Sequence, residues 1–305
     1  MNALRRAFTI ANFVRLGLDA GSVPNHLRLW NRYQRILSSI ARSHSLDRNP
    51  CDYPKLVVEP NRYLYMSAHF GVYAHVLATL AFQSPSKKVC VLVGEQSASQ
   101  AQLLGRIAAR YNCEVEFIHG GFSLLKGAKR AIKNSIPLFM LIDVPWGVST
   151  DTDGESPLLA GRLRTRSAYF RLCETLGLRP YFMLAGLNEQ MTHSKVELLG
   201  ELEPQLIVEK FCAAIEHSPF LWDRWFDCQK FTVAAVDGHG VIPFSANGQS
   251  YLLTLPAFKI FRADMSTNIK IRSHLRAIGA RANVFDTRHD LFVRQLLSSA
   301  KHAIQ

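Results

Sequence analysis

The fold is decided by a stretch at residues 62–82, RYLYMSAHFGVYAHVLATLAF. Its first part, 62–68, is apolar and aromatic without regular polar alternation, which is typical of a parallel strand covered on both faces. Residues 72–82 carry an apolar helical pattern. Between these two parts stands the tripeptide 69–71, which begins with His69. The stretch therefore predicts a strand, a tight connection that starts at His69, and a helix.

The same alternation of short apolar runs and helical segments continues from residue 56 to residue 200. The predicted strands are 62–68, 88–93, 114–118, 137–142 and 180–185. The predicted helices are 72–82, 97–111, 123–134 and 165–176. Strands that alternate with helices in this way form a mainly parallel sheet with helices on both faces. We therefore predict the α/β fold class, with a doubly wound sheet and a small helical C-terminal appendage.

Length and composition exclude several classes of protein. The chain has 305 residues, and 48% of them are apolar, so it can bury a sizeable core and is neither disordered, collagen-like nor a disulfide scaffold. Its six cysteines form no C-x-x-C motif and no zinc-ligand spacing, which predicts a reducing cytoplasm and no metal site. The sequence has neither an apolar run long enough to span a membrane nor the apolar core of a signal peptide.

The net charge of +12 is concentrated at the two ends of the chain. Residues 1–50 hold eight Arg and two Asp, residues 256–305 hold nine Lys or Arg and three Asp, and the middle is neutral. This distribution predicts an anionic partner for the termini. The absence of a zinc-finger, KH or RRM motif argues against nucleic acid as that partner.

Apolar residues recur at helical spacing near the N-terminus: Leu4, Phe8, Ala11, Val14 and Leu18. Arg5, Arg6 and Arg15 lie off this stripe. A basic amphipathic helix of this kind either lies on an anionic membrane surface or packs on the domain as an ordinary helix. The sequence leaves both interpretations open.

The chain divides into three predicted parts, which are a basic helical segment at 1–55, an α/β domain at 56–230 and an appendage at 231–305. Within the appendage we predict a hairpin at 240–255, with Asn247 and Gly248 at its turn. Helical segments are predicted around 266–278 and 290–304.

A residue with acid–base capacity follows each of four predicted strands: His69, Glu95, His119 and Asp143. Ligands of open α/β sheets bind outside the carboxyl ends of the strands, so we expect these side chains to meet in one crevice. The alternative is that they are helix caps and turn formers. His69 is the strongest candidate, because the start of the following helix favours the neutral imidazole that a general base requires.

Three further residues are candidates for substrate binding. Gly120 either lets a substrate approach the backbone or forms a tight turn. Arg162 and Arg164 precede a predicted helix, where they either bind a phosphate group or face solvent.

Three pieces of sequence, in this order, carry a family resemblance. They are MSAHFG at 66–71, LLKGAKRAIKNSIPLFMLIDVPWG at 124–147 and IEHSPFLWDRWF at 215–226. Together they resemble the late (lauroyl/myristoyl) acyltransferases of lipid A biosynthesis and, more distantly, the lysophospholipid acyltransferases. The resemblance covers about residues 60–230.

The resemblance implies transfer of an acyl group from an acyl carrier protein or acyl-CoA thioester, which brings a phosphopantetheine arm, to a hydroxyl or amine. His69 matches the family's general base, and Phe70 and Gly71 match the residues that follow it. The family's carboxylate, which lies five positions after the His, corresponds to Ala74 in this chain. His75 is next to that position but lies about 100° away around the helix, so it is not a direct replacement.

Two carboxylates from neighbouring strands, Asp143 and Glu95, are alternatives for orienting His69. An amine acceptor, which needs less help from a base, is another way to work without the missing carboxylate. The opposite interpretation is a non-catalytic relative that binds an acyl chain or a carrier protein as a partner subunit. A carboxylate within hydrogen-bonding distance of His69 is expected for the enzyme, and an isolated His69 for the binding protein.

The complete prediction is an acyltransferase with His69, Asp143 and Glu95 as catalytic candidates. The candidates for substrate binding are Phe70, Gly71, His75, His119, Gly120, Arg162 and Arg164. The thioester donor is a co-substrate, and no separate cofactor is predicted. The predicted location is the cytoplasm, with the anionic inner face of the cell membrane as a further contact, and the basic appendage is a candidate for docking an acidic carrier protein.

Overall fold

The structure is a computed structural model. It describes residues 3–19, 21–43, 46, 49–93, 98–109, 112–120, 122–143, 154–165, 167–234, 240–246, 248–255, 258–264, 266, 269–270, 273 and 285–286. Glu95, Asn247 and most of the two helical segments predicted after residue 265 lie outside these ranges.

Helices and strands alternate through the centre of the chain. The α-helices are α1 (Ala3–Arg15), α2 (Val23–Ser43), α3 (Ala74–Gln83), α4 (Ala98–Ala109), α5 (Phe122–Lys133), α6 (Ala168–Leu176) and α7 (Pro204–His217). The strands are β1 (Cys51–Asp52), β2 (Tyr63–Ser67), β3 (Lys88–Val93), β4 (Glu114–His119), β5 (Leu138–Leu141), β6 (Gly154–Leu158), β7 (Gly161–Thr165), β8 (Arg179–Leu187), β9 (Ser194–Glu201), β10 (Thr232–Val233), β11 (Gly240–Ala246), β12 (Gln249–Leu255), β13 (Lys259–Ala263) and β14 (Phe285–Asp286). Short 3₁₀ turns lie at Pro219–Leu221, Asp223–Phe226 and Cys228–Lys230.

The chain forms two compact units, whose boundaries differ from the three parts that the sequence suggested. One unit comprises residues 32–156 and 164–223, and the other comprises 1–31, 157–163 and 224–305. The N-terminal helix α1 and the described C-terminal strands therefore belong to the same unit. The reason is that α1 packs against β11 and β12 of the C-terminal sheet.

The unit built from 32–156 and 164–223 contains a seven-stranded sheet in the order β1-β9-β8-β2-β5-β3-β4. All neighbouring pairs are parallel except β8 and β9. Each strand and helix predicted between residues 62 and 185 is present, with ends that differ by a few residues. The predicted α/β class is confirmed.

Side chains alternate between the two faces of this sheet. One face carries Tyr65, Val91 and Phe139, which share a buried cluster with residues of α3 and α4. The intervening side chains, among them Leu64 and Met140, are also buried and point to the opposite face. There α5 and α6 contact each other, and both contact the sheet. Burial on both faces explains why these strands lack polar alternation.

The unit built from 1–31, 157–163 and 224–305 contains a four-stranded antiparallel sheet in the order β13-β12-β11-β14. β11 and β12 form the predicted hairpin, and Gly248 at its turn has a φ of +75°. The described part of the predicted helical appendage is therefore mainly a sheet. Among the described residues, no helix is both long enough and apolar enough to cross a membrane.

The N-terminal helix α1 is packed within this same unit. Ile10 and Phe13 are buried, and the Phe13 ring meets Trp225 edge to face at 4.6 Å. The Asn12 side chain donates a hydrogen bond of 2.8 Å to the carbonyl of Trp225. This packing corresponds to the interpretation of α1 as an ordinary packed helix, because its most buried residues already contact protein.

Candidate active site

His69 and Asp143 are brought together by the register of two neighbouring parallel strands. β2 lies beside β5, and Ser67 is paired with Leu141. His69 and Asp143 each lie two residues beyond this pair, so the two residues lie side by side at the carboxyl edge of the sheet. The backbone bond from Ile142 N–H to the Ser67 carbonyl, 2.8 Å long, holds this register up to the site.

The Asp143 carboxylate accepts hydrogen bonds from both the backbone and the ring of His69. Its Oδ1 lies 2.9 Å from Nδ1 of His69. The backbone N–H of His69 donates to Oδ1 at 2.9 Å and to Oδ2 at 3.0 Å. The side chains of His69 and Asp143 are 5% and 1% exposed, so this contact is shielded from water. A buried carboxylate in contact with His69 is therefore present, contributed by a different strand from the one that carries the His.

This geometry assigns the tautomer of His69. An ionised carboxylate only accepts hydrogen bonds, so the Nδ1 that faces it carries the proton. In the neutral ring Nε2 then carries the lone pair. The Tyr73 ring meets the imidazole edge to face, with the ring centroids 4.9 Å apart. His69 is therefore oriented to take up a proton at Nε2.

A third side chain completes the environment of the carboxylate. The indole N–H of Trp222 donates to Oδ2 of Asp143 at 3.0 Å, and Trp222 is fully buried. The apolar ring of Trp222 alone would predict only packing, and the contact shows that its indole also binds Asp143. The available signal was its place in the segment IEHSPFLWDRWF, after the Asp-containing strand.

Gly71 and Phe70 shape the loop after His69. Phe70 is buried and forms an antiparallel bridge with Trp222. Gly71 has a φ of +54°, and a Cβ at this position would lie 1.5 Å from the carbonyl oxygen of Ala185. Only glycine fits here, because both the backbone conformation and the close approach of β8 exclude a side chain. Both residues thus contribute by shaping the loop that carries His69.

We predict that Gly71→Ala lowers the free energy of unfolding by about 3 kcal/mol or more, because the new Cβ overlaps β8 and the positive φ is strained for any residue other than glycine. Urea denaturation measures this loss. Gly120→Ala is the matched control, since its Cβ would meet nothing nearer than the Val93 carbonyl oxygen at 3.9 Å. Equal stability of the two variants would contradict the steric argument.

Ala74 and His75 lie in the first turn of α3, and both are buried. The His75 ring nitrogen Nδ1 lies 2.8 Å from the Tyr53 hydroxyl, within hydrogen-bonding distance. Burial lowers the pKa of His75 to about 4. The structure therefore places this predicted substrate-binding residue in the core as a neutral histidine, because its ring is fully enclosed.

His75 makes stability depend on pH. Its pKa is about 4 in the folded chain and about 6.5 in the unfolded chain, so the unfolded chain binds more protons between these values. The neutral His75 costs the folded chain nothing above about pH 6.5. As the pH falls from there to about 4, the free energy of unfolding decreases by about 3 kcal/mol, because the unfolded chain takes up the proton first. We predict that His75→Asn removes this dependence in urea denaturation between pH 7.5 and 4.5. An unchanged pH slope in the variant would contradict it.

The other predicted substrate-binding residues lie on other elements. His119 ends β4 and is exposed, with Gly120 after it. In the strand order, β4 is three positions from β2, which is about 14 Å at the usual spacing of strands. His119 is therefore not brought next to His69. Gly120 does not have a positive φ, and a side chain at this position would meet no close neighbour, so neither the backbone conformation nor space requires glycine there.

Arg162 and Arg164, which the sequence analysis placed just before a predicted helix, lie on the strand β7. Both are exposed and lie on the same face of the strand, since they are two residues apart. Arg164 pairs with Glu155 at 3.4 Å. These residues form a strand because Arg162, Leu163 and Arg164 alternate between polar and apolar, which suits a strand with one buried face.

No protein-family model and no curated protein matches the chain. The family resemblance stays an expectation from the sequence. Among the residues described, no three His, Cys, Asp or Glu side chains are grouped as metal ligands. The contacts of His69 and Asp143 are thus the feature from which a function can be inferred.

Proposed function

We propose that the protein is an acyltransferase that moves an acyl group from a thioester to a hydroxyl or amine acceptor, with His69 as general base. The observation that carries the proposal is the 2.9 Å contact between His69 Nδ1 and Asp143 Oδ1, buried at the carboxyl edge of a parallel sheet. Ligands of open α/β sheets bind at this edge. The sequence resemblance to acyltransferases of lipid A biosynthesis supplies the choice of an acyl thioester as donor.

In the proposed reaction, Nε2 of His69 takes the proton from the acceptor hydroxyl or amine. The acceptor oxygen or nitrogen attacks the thioester carbonyl carbon and forms a tetrahedral intermediate. Asp143 stays ionised, keeps the ring oriented and stabilises the imidazolium. As the intermediate collapses, the C–S bond breaks and the thiolate leaves. The proton on Nε2 passes to the thiolate, so the products are an ester or amide and a free thiol.

The position of Asp143 favours an enzyme over a non-catalytic acyl-binding protein. A buried carboxylate loses its hydration, and that cost is large unless other groups bind it. Here the His69 backbone, the His69 ring and Trp222 all donate to it. Binding an acyl chain needs no such arrangement. A base that must become positively charged during a reaction does need it.

The donor in this proposal is an acyl carrier protein or acyl-CoA, and the site of action is the cytoplasm at the inner face of the membrane. The support is the basic charge of the two ends of the sequence, where residues 1–50 have a net charge of +6 and residues 256–305 also have +6. Positive charge of this kind attracts anionic lipids and acidic proteins.

The proposal is tested by incubating the purified chain with acyl-CoA thioesters of different lengths and with acyl carrier protein loaded with the same chains. Release of free thiol and the mass of the products are measured in the presence of a cell lipid extract. We expect a product heavier than its acceptor by one acyl group. Retention of donor without thiol release, for every donor, would favour the acyl-binding protein instead.

A further inference from the structure

Trp222 is in contact with the carboxylate that faces the proposed base, although it is remote in sequence. Its indole N–H lies 3.0 Å from Oδ2 of Asp143, while Oδ1 of the same carboxylate faces the His69 ring. The indole therefore binds the oxygen opposite to the one that carries the ring contact. A tryptophan in an apolar core needs only to fill space, but this one also donates to a charge.

The backbone on each side of Trp222 is joined to the backbone of the His69 loop. The Asp223 N–H donates to the His69 carbonyl at 2.9 Å, and the Gly71 N–H donates to the Leu221 carbonyl at 2.9 Å. These two bonds place residues 221–223 antiparallel to 69–71. The backbone on both sides of Trp222 is therefore bonded directly to the loop that carries His69.

Two further contacts hold Trp222 and the loop after His69, one on each side of this pairing. The Phe211 ring of α7 meets the Trp222 ring edge to face, with centroids 6.0 Å apart. The Tyr33 hydroxyl of α2 donates to the Gly71 carbonyl at 2.7 Å. These contacts hold the Trp222 ring against Asp143, as expected of a group that fixes the orientation of the carboxylate.

We propose that Trp222 is a positioning residue for the base, acting through Asp143, and this inference rests on the proposed function. The indole N–H fixes the plane of the carboxylate, so that Oδ1 stays aimed at Nδ1 of His69. It also withdraws part of the negative charge through a charge-assisted hydrogen bond. Without the indole N–H, more of the negative charge of Asp143 is available to the oxygen Oδ1, which faces the His69 ring.

The Trp222→Phe variant keeps an aromatic ring and removes the N–H. We expect kcat for a thioester donor to fall about 10-fold while KM changes less than twofold, because the lost bond orients the base and does not touch substrate. The stronger attraction of Asp143 for the imidazolium should also move the acidic limb of the pH profile of kcat/KM to higher pH. A purely structural role would lower the amount of folded protein and leave this limb in place.

Trp225→Phe is the matched control, since Trp225 is also fully buried and lies three residues further along the chain. Both variants lose the same part of a buried ring. Thermal unfolding measures the loss of stability in each, so that kcat can be compared at equal folded fractions. A kcat and a pH limb equal to those of the control would overturn the inference.

A measurement without turnover separates this inference from the proposed function. The protonation of the His69 ring is followed by nitrogen NMR in the wild type, Trp222→Phe and Trp225→Phe. Uptake of the proton at higher pH in Trp222→Phe alone supports the positioning role, even where no donor is turned over. Unchanged uptake in all three proteins overturns it, whatever the result of the transferase assay.

Discussion

The His69→Ala variant should fold and lose about 10⁴-fold in kcat for acyl transfer from a thioester, the upper end of what a general base contributes. Removing the imidazole removes the group that takes the proton from the acceptor and later gives it to the leaving thiolate. The Asp143 carboxylate stays buried with fewer donors, so we also expect a loss of about 1–3 kcal/mol in the free energy of unfolding. Thiol release is measured at a temperature where circular dichroism shows the variant folded.

His193→Ala is the control for His69→Ala. His193 is 38% exposed in its side chain and pairs with Asp52 on the surface at 3.1 Å. We expect its turnover to match that of the wild type. Wild-type turnover in folded His69→Ala would remove His69 from the role of base and, with it, the proposed mechanism.

The placement of His69 and Asp143 at strand ends could be predicted from the sequence, but their pairing could not. Apolar runs mark the strands, and the residue after each run lies at the carboxyl edge. Whether Asp143 or Glu95 reaches His69 depends on the order of strands in the sheet. That order places β5 between β2 and β3, although β3 follows β2 in the chain. Such order arises from packing among distant segments, which local periodicity does not record.

The roles of His75 and Trp222 illustrate two further limits. His75 is adjacent to a motif position, yet the helix turns its ring into the core beside Tyr53. Trp222 has an apolar ring that predicts burial, and its single N–H gives no local sign of a partner 79 residues away in the chain. By contrast, the alternation of Arg162, Leu163 and Arg164 is a strand pattern that the sequence analysis did not use when it placed the two arginines before a helix.

Asp143→Asn is the most specific test of the pair, because it changes charge and hydrogen bonding with almost no change in volume. The carboxylate accepts bonds from the His69 N–H, the His69 ring and the Trp222 indole. An amide has one accepting oxygen, so at least one of these donors would face an NH₂ group. The imidazolium also loses its negative partner. We expect kcat to fall about 10²–10³-fold, less than in His69→Ala, since the base itself remains.

Asp227→Asn is a suitable control for Asp143→Asn, because Asp227 is also buried, with 7% exposure, and binds Arg224 at 2.7 Å. Both substitutions disturb a buried carboxylate, and each should lower the free energy of unfolding by about 1–3 kcal/mol. Only Asp143→Asn should lower kcat after correction for the folded fraction. Equal kcat values for the two variants would mean that Asp143 only stabilises the fold, and the orientation of His69 would then need another source.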